Sequence, residues 1–297
     1  MNEIGFPDSK DMAQNLVDLE RYPIDNLEQG RGAEFLRECQ EKMEEHGWCN
    51  FDGFIKPVAL EALATEANKL LPNAETLTIN RTIYQGVVDP SAPADDPRRK
   101  EYTHVATQLA NDQIGNDTLL QKLYKSPYLT DFIRRAQKKP VLYRCADEFQ
   151  ALNVVALQPG SWHAWHYDTA ECTVTLLLRS AESGGEFTFL PNSRTDETED
   201  RETVDALLAG DMSKAKSFSR GAGAFTLFRG GYSLHGVTRV EGNWPRITAI
   251  LTYSEEPDYV SSDDVNIRIY GTRAEKIIAE RKAGYMSTGL KITGSST

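Results

Sequence analysis

Residues 152–180 read LNVVALQPGSWHAWHYDTAECTVTLLLRS: two apolar, β-branched runs with a turn and a stretch dense in aromatic and ligating side chains between them. Each run is short and bounded by turn residues, so each reads as a strand. The same texture returns in GEFTFLP (185–191), GAFTLFRG (223–230), LHGVTRV (234–240) and RITAILTYS (246–254). Six short strands with glycine-rich turns make the second half all-β. The expected architecture is a double-sheet jelly roll rather than an immunoglobulin-like sandwich, because ligating groups between two strands suit a barrel that holds a site in its mouth.

Upstream the pattern is helical. In AEFLRECQEKMEEHGW (33–48), Phe35, Leu36, Cys39 and Met43 recur near a 3.6-residue period that stops around Gly47. A second helix is predicted from Pro57 through LEALATEANKLL to Pro72, and further ones over 118–137 with a break before Pro127. The segment 89–100, containing PSAPADDPRR, reads as an exposed loop. NSRTDETEDRET (192–203) is a solvated excursion leading into a short helix-like VDALLAG, and AEKIIAERKAGY (274–285) predicts a C-terminal helix. The fold class is therefore α+β. A mainly helical part (1–140) packs outside a double-stranded β-helix core (141–257), a C-terminal extension (258–297) follows, and the whole, 1–297, reads as a single domain.

The chain has 297 residues, 40% of them apolar, enough for a substantial core. A formal charge of -11 opposes a phosphate backbone and argues against nucleic acid as a partner. The first residues lack the basic and apolar regions of a signal peptide, and no run approaches the ~20 apolar residues that span a bilayer, so a cytoplasmic protein without membrane contact is expected. Cys39, Cys49, Cys145 and Cys172 show no CxxC spacing and read as buried thiols. No phosphate-cradling glycine motif stands between a strand and a helix.

Two of the five histidines, His163 and His166, stand within six residues alongside Asp168. In an extended segment His166 and Asp168 project to one face and can grip one ion. An HxD of this kind arises by chance about one time in three in an average composition, so the pair needs a third partner. His235, at the start of a later strand, supplies it. Two imidazoles and one carboxylate on one face leave three octahedral positions open, the arrangement that favours non-haem iron(II) and oxygen chemistry. Arg246 lies eleven residues beyond, a guanidinium inside an apolar strand, where burial calls for an anion and its planar fork suits a carboxylate. The ordinary alternative is a salt bridge to a nearby acid, and Arg239 is a rival for the same task.

HxD, a distal His and an Arg about ten residues on, all on jelly-roll strands, resemble the iron(II)/2-oxoglutarate dioxygenases. HAWHYD, the GGEF turn at 184–187, LFRGGYSLHGVTRVEG and PRITAILTYSEEP resemble more closely the lysine radical halogenases and their free amino acid hydroxylase relatives. The likeness covers most of residues 140–257, with IYQG and LYRCADEFQALNVV placing the N-terminal half more loosely. The resemblance implies Fe(II), 2-oxoglutarate and O2 as cofactor and co-substrates, with Arg246 on the far carboxylate of 2-oxoglutarate and a free amino acid or similar small molecule as substrate. It implies decarboxylation of 2-oxoglutarate to succinate and CO2, coupled to oxidation of an unactivated C–H bond. Halogenases of this group carry Gly or Ala where Asp168 stands, so the Asp implies hydroxylation or another oxidative outcome. His163 matches a pocket histidine that approaches substrate, and Thr252 falls near another such position. Ile250 is apolar where the lysine enzymes carry an amide, which speaks against lysine itself. Arg81, in NRTIYQG, is a further candidate to meet a substrate carboxylate.

Two other readings stay open on the residues alone. A zinc or manganese cupin-like hydrolase or isomerase gives no reason for Arg246, and a non-catalytic jelly-roll binding protein gives none for the HxD. His46 and His104 read as ordinary, with His104 on a loop that could cover the site. Trp162, Trp165 and Trp244 read as packing residues, Trp165 with the option of walling a pocket.

Overall fold

The helices form where apolar spacing predicts them. In the computed structural model, which describes residues 15–287, the first is α1 (Gly30–His46). It buries Leu36, Cys39 and Met43 and ends at Gly47, whose positive φ of 76° lets its N–H return to the Met43 carbonyl. Strand β1 (Trp48–Phe51) follows, then helix α2 (Pro57–Leu70), strands β2 (Glu75–Arg81) and β3 (Tyr102–Leu109), and helices α3 (Leu119–Tyr124) and α4 (Pro127–Ala136). Ser126 caps α4 through the Leu129 N–H, with Pro127 in its first turn, so the expected break falls there.

The β-rich half contains β4 (Tyr143–Arg144), β5 (Leu152–Leu157), β6 (His163–His166), β7 (Thr173–Arg179), β8 (Ser183–Gly184) and β9 (Phe187–Leu190). After helix α5 (Arg201–Leu208) come β10 (Lys216–Phe218), β11 (Phe225–Phe228), β12 (Leu234–Val237), β13 (Val240–Glu241), β14 (Arg246–Leu251) and β15 (Tyr253–Ser254). Helix α6 (Asp263–Ser287), kinked at Gly271, starts earlier than the 274–285 pattern predicts.

Two antiparallel sheets face each other. The larger has the order β1-β11-β7-β14-β5-β3-β2 and the smaller β10-β9-β12-β6. On the larger sheet's outer face, Val154, Leu176, Phe225, Ile247 and Ala249 pack against Leu36, Leu63 and Phe132 of the helices, so the main core lies between helices and sheet. The inner face meets the smaller sheet. β14 shows the division: Ile247 and Ala249 belong to the core, whereas Arg246, Thr248 and Ile250 line a cavity between the sheets.

The N-terminal part differs from the helical expectation. It contributes β1, β2 and β3 to the larger sheet, with β3 pairing β5 and β2 closing the edge. In β2 the alternation of Leu77 and Ile79 with Thr76, Thr78 and Asn80 is a strand signature, and cross-strand partners in β3 complete it. His104 accordingly sits on strand β3 rather than on a loop.

Candidate metal centre

Strand pairing brings the ligating residues together. β12 runs antiparallel to β6 with His235 directly opposite His166, and their rings lie 4.2 Å apart between centroids. Asp168, just beyond β6, keeps to the same side through its N–H, which donates to the Gly230 carbonyl at 3.0 Å. Its two carboxylate oxygens lie 3.4 Å from His166 Nε2 and 3.4 Å from His235 Nε2 respectively. One ligand atom from each of the three falls within 4.8 Å of the others.

The backbone fixes both tautomers. His166 Nδ1 donates to the Ala164 carbonyl and His235 Nδ1 to the Ser233 carbonyl, each at 2.8 Å, so both Nε2 lone pairs face the shared point. Burial lowers His235 to about 4, with the His166 ring adding to the effect, so its imidazole is neutral at physiological pH, the form that ligates. Burial alone would raise the Asp168 carboxyl, but His235, His166 and the Thr173 hydroxyl hold it well below the usual carboxylate range. Two imidazole nitrogens and an ionised carboxylate fit a divalent cation that takes N and O donors.

Gly230 makes room for that carboxylate. A Cβ there would stand 2.1 Å from Asp168 Oδ2 and 2.7 Å from Thr173 Oγ1. Gly230→Ala is therefore expected to displace the carboxylate and weaken metal binding by about 10–100-fold, as loss of outer support does in metal sites; chelator competition reads the change, and unaltered affinity would show that the carboxylate tolerates the shift.

The cavity has a volume of about 210 Å³ and is lined by His163, His166, Asp168, His235, Arg246 and Thr252, among others. His163 stacks on His166 at 4.2 Å, and His104 lies tilted 4.3 Å from His163, so four of the five histidines form one continuous row with His235 at its far end. Arg81 Nη2 donates to His163 Nε2 at 2.9 Å. Burial lowers Arg81 to about 10, and the charge of Asp168 works against that.

Arg246, 5% exposed, donates to the Thr248 hydroxyl, and among the described residues no carboxylate stands within 4 Å of it. Burial lowers it to about 10. Arg239 turns away from the cavity: it donates to the Gly160 carbonyl and covers the Trp162 ring at 4.6 Å. Thr252 reaches the cavity wall, but its hydroxyl donates to the Gln150 carbonyl. Trp165 packs beside Ile83 and Tyr167 instead of walling the cavity.

Sequence reasoning left His104 as ordinary and passed over Thr173, Gly230 and Arg220. Gly230 carried a signal, the paired glycines of FRGGY; the other three become meaningful only once the strands place them. His104 is 2% exposed, its Nδ1 has no partner, and burial together with the Arg81 charge pushes it from 6.5 to about 3. The folded form thus resists a proton that the unfolded chain accepts, so its contribution to stability is complete above pH 6.5 and shrinks as pH falls towards 3. The metal-free protein is expected to lose thermal stability over that interval, and His104→Phe to lose less of it; parallel melting curves for the two would contradict this.

Solved structures share the fold. SnoN, described as a non-heme α-ketoglutarate-dependent epimerase from nogalamycin biosynthesis, matches with a TM-score of 0.52 at 15% identity, over 75% of this chain and 83% of that one. A second SnoN structure, in complex with Fe3+, α-ketoglutarate and nogalamycin RO, gives 0.50 at 16% identity over 76% and 88%. HygX from Streptomyces hygroscopicus, with nickel, 2-oxoglutarate and hygromycin B bound, gives 0.50 at 13% identity over 73% and 86%. Among curated proteins none matches the chain in sequence. A jelly roll carrying two histidines on paired strands and an aspartate just beyond one of them belongs to the iron(II)/2-oxoglutarate oxygenases. Residues 32–267 match the model of the halogenase D family, and the chain is a member of that family. Membership sets aside the cupin hydrolase and the binding module. Among the described residues no helix is long and apolar enough to cross a membrane, and all four cysteines are free.

Proposed function

We propose that this chain is an iron(II)- and 2-oxoglutarate-dependent hydroxylase of a free amino acid or a similarly small metabolite. The observation that carries the reading is Asp168: its carboxylate already occupies the third ligand position, held by Thr173 and accommodated by Gly230, where the resemblance implies that halogenases of the group leave space for a halide. His166, Asp168 and His235 would hold the metal. Arg246, buried and without an acid partner among the described residues, is the natural anchor for the far carboxylate of 2-oxoglutarate, the co-substrate present in the SnoN and HygX structures. Bound iron would supply activation of O2, coupled to decarboxylation of 2-oxoglutarate to succinate and CO2.

The protein's own residues bind and aim. Phe187, Phe228, Val155 and Leu157 make the cavity wall beside the three ligating groups apolar, which would limit the access of water. Arg81 and His163, joined to each other and adjacent to His166, offer a cation and a neutral imidazole to a substrate carboxylate. Thr252 shapes the wall, and Ile250 turns an apolar surface to the substrate side chain, which favours an amino acid other than lysine.

The test is a succinate-release screen over the amino acids with Fe(II), ascorbate, 2-oxoglutarate and chloride, followed by mass analysis of the responsive substrate. Hydroxylation adds about 16 mass units and desaturation or ring closure removes about 2, whereas chlorination adds about 34. The chlorinated product would overturn the hydroxylase reading, as would succinate release that no amino acid stimulates.

A further inference from the structure

A second guanidinium lies at the Arg246 end of the cavity. Arg220, in the segment between β10 and β11, is 6% exposed and lines the same cavity as Arg246. Its hydrogen bonds are long, from Nη2 to the Thr175 carbonyl at 3.5 Å and to the Ala224 carbonyl at 3.3 Å, and its buried Nε has no partner. Among the described residues no carboxylate lies within 4 Å of it, although the charge of Asp52 is felt from farther away. Burial lowers this guanidinium to about 9, and the neighbouring Arg246 charge adds to the effect. The Thr175 hydroxyl, also in the cavity wall, is buried without a partner.

Two buried cations of like sign, with an unsatisfied Nε and an unsatisfied hydroxyl beside them, are costly as a purely structural arrangement. An anion answers all of them at once. A single carboxylate offers about four lone-pair directions, more than the fork of one arginine fills. We infer that Arg220 and Arg246 form a two-guanidinium clamp on the far carboxylate of the co-substrate, with Thr175 as an additional donor. This rests on the reading above that the cavity takes 2-oxoglutarate. The competing role for Arg220 is a brace, tying β7 to the turn before β11 through the two carbonyls.

The two roles separate by ligand truncation. Affinities of nickel-loaded protein for 2-oxoglutarate and for 2-oxopentanoate, which keeps the chelating end but lacks the far carboxylate, are measured by calorimetry for wild type, Arg220→Gln and Arg220→Lys. The clamp predicts that Arg220→Gln weakens 2-oxoglutarate about tenfold or more and 2-oxopentanoate less than about twofold, because only the first ligand loses a charged partner. Arg220→Lys, which keeps the charge and loses the fork, should fall between wild type and Gln. Equal weakening of both ligands, or an unchanged 2-oxoglutarate affinity, overturns the clamp and leaves the brace. If Arg220→Gln does not fold, the Lys variant decides by the same ratio, an unaltered preference for 2-oxoglutarate overturning the proposal. Wild-type protein that fails to bind 2-oxoglutarate at all would instead overturn the co-substrate reading on which the clamp stands.

Discussion

Asp168→Ala is expected to lose more than about 100-fold in metal affinity, and succinate release with it, since removal of a direct ligand must exceed the 10–100-fold cost of disturbing an outer partner. The physical reason is that this carboxylate supplies the only negative charge among the three donors and lies 3.4 Å from each imidazole. Without it, only the two imidazole rings would be left to hold a divalent cation, and the Thr173 hydroxyl loses its acceptor. Asp168→Asn is the sharper comparison, because shape survives while charge does not. Metal titration followed by chelator competition reads both variants. Wild-type affinity in Asp168→Ala would remove the residue from the ligand set and, with it, the case for hydroxylation over halogenation.

Arg246→Gln should raise the 2-oxoglutarate requirement by about 30-fold or more, corresponding to the roughly 2–5 kcal/mol measured when one partner of a buried charged pair is truncated. Arg246 is buried and no lysine among the described residues lines the cavity, so only the Arg220 guanidinium would be left to answer the ligand's charge. Succinate release against 2-oxoglutarate concentration gives the shift, and the metal affinity should stay within about twofold because Arg246 is not among the grouped ligand residues. An unmoved requirement would mean that the co-substrate's far end lies elsewhere. Arg239 is a poor substitute, since its guanidinium is engaged by the Gly160 carbonyl and the Trp162 ring.

Much of this site was legible because its key residues sit on strands with clear apolar texture. Alternation fixes which side of a strand a residue shares with its neighbour two places on, so the HxD pair and the Arg246 face follow from the letters alone. Register between strands does not. That His235 stands opposite His166 depends on β12 choosing β6 and β9 as partners, a tertiary outcome of packing on both faces. Arg220 was hidden for the same reason: in SFSRGAGAF it looks like a solvated turn residue, and only closure of β11 onto β7 buries it. The strands β2 and β3 were missed because a Pro- and charge-rich loop separates them and the helices on either side set the expectation, although TLTIN alternates plainly once attention falls on it.

The pairing of β3 with β5 brings a distant hairpin to the rim of the catalytic barrel, and that hairpin carries Arg81 and His104. On the roles proposed above, residues 163–246 would hold the ion and the co-substrate, while residues 75–109 bring Arg81 and His104 against His163 at the flank of that centre. If Arg81 meets the substrate as proposed, such a layout would let a lineage retune what it oxidises by redrafting one two-stranded ribbon, with the ion-holding apparatus left as it was.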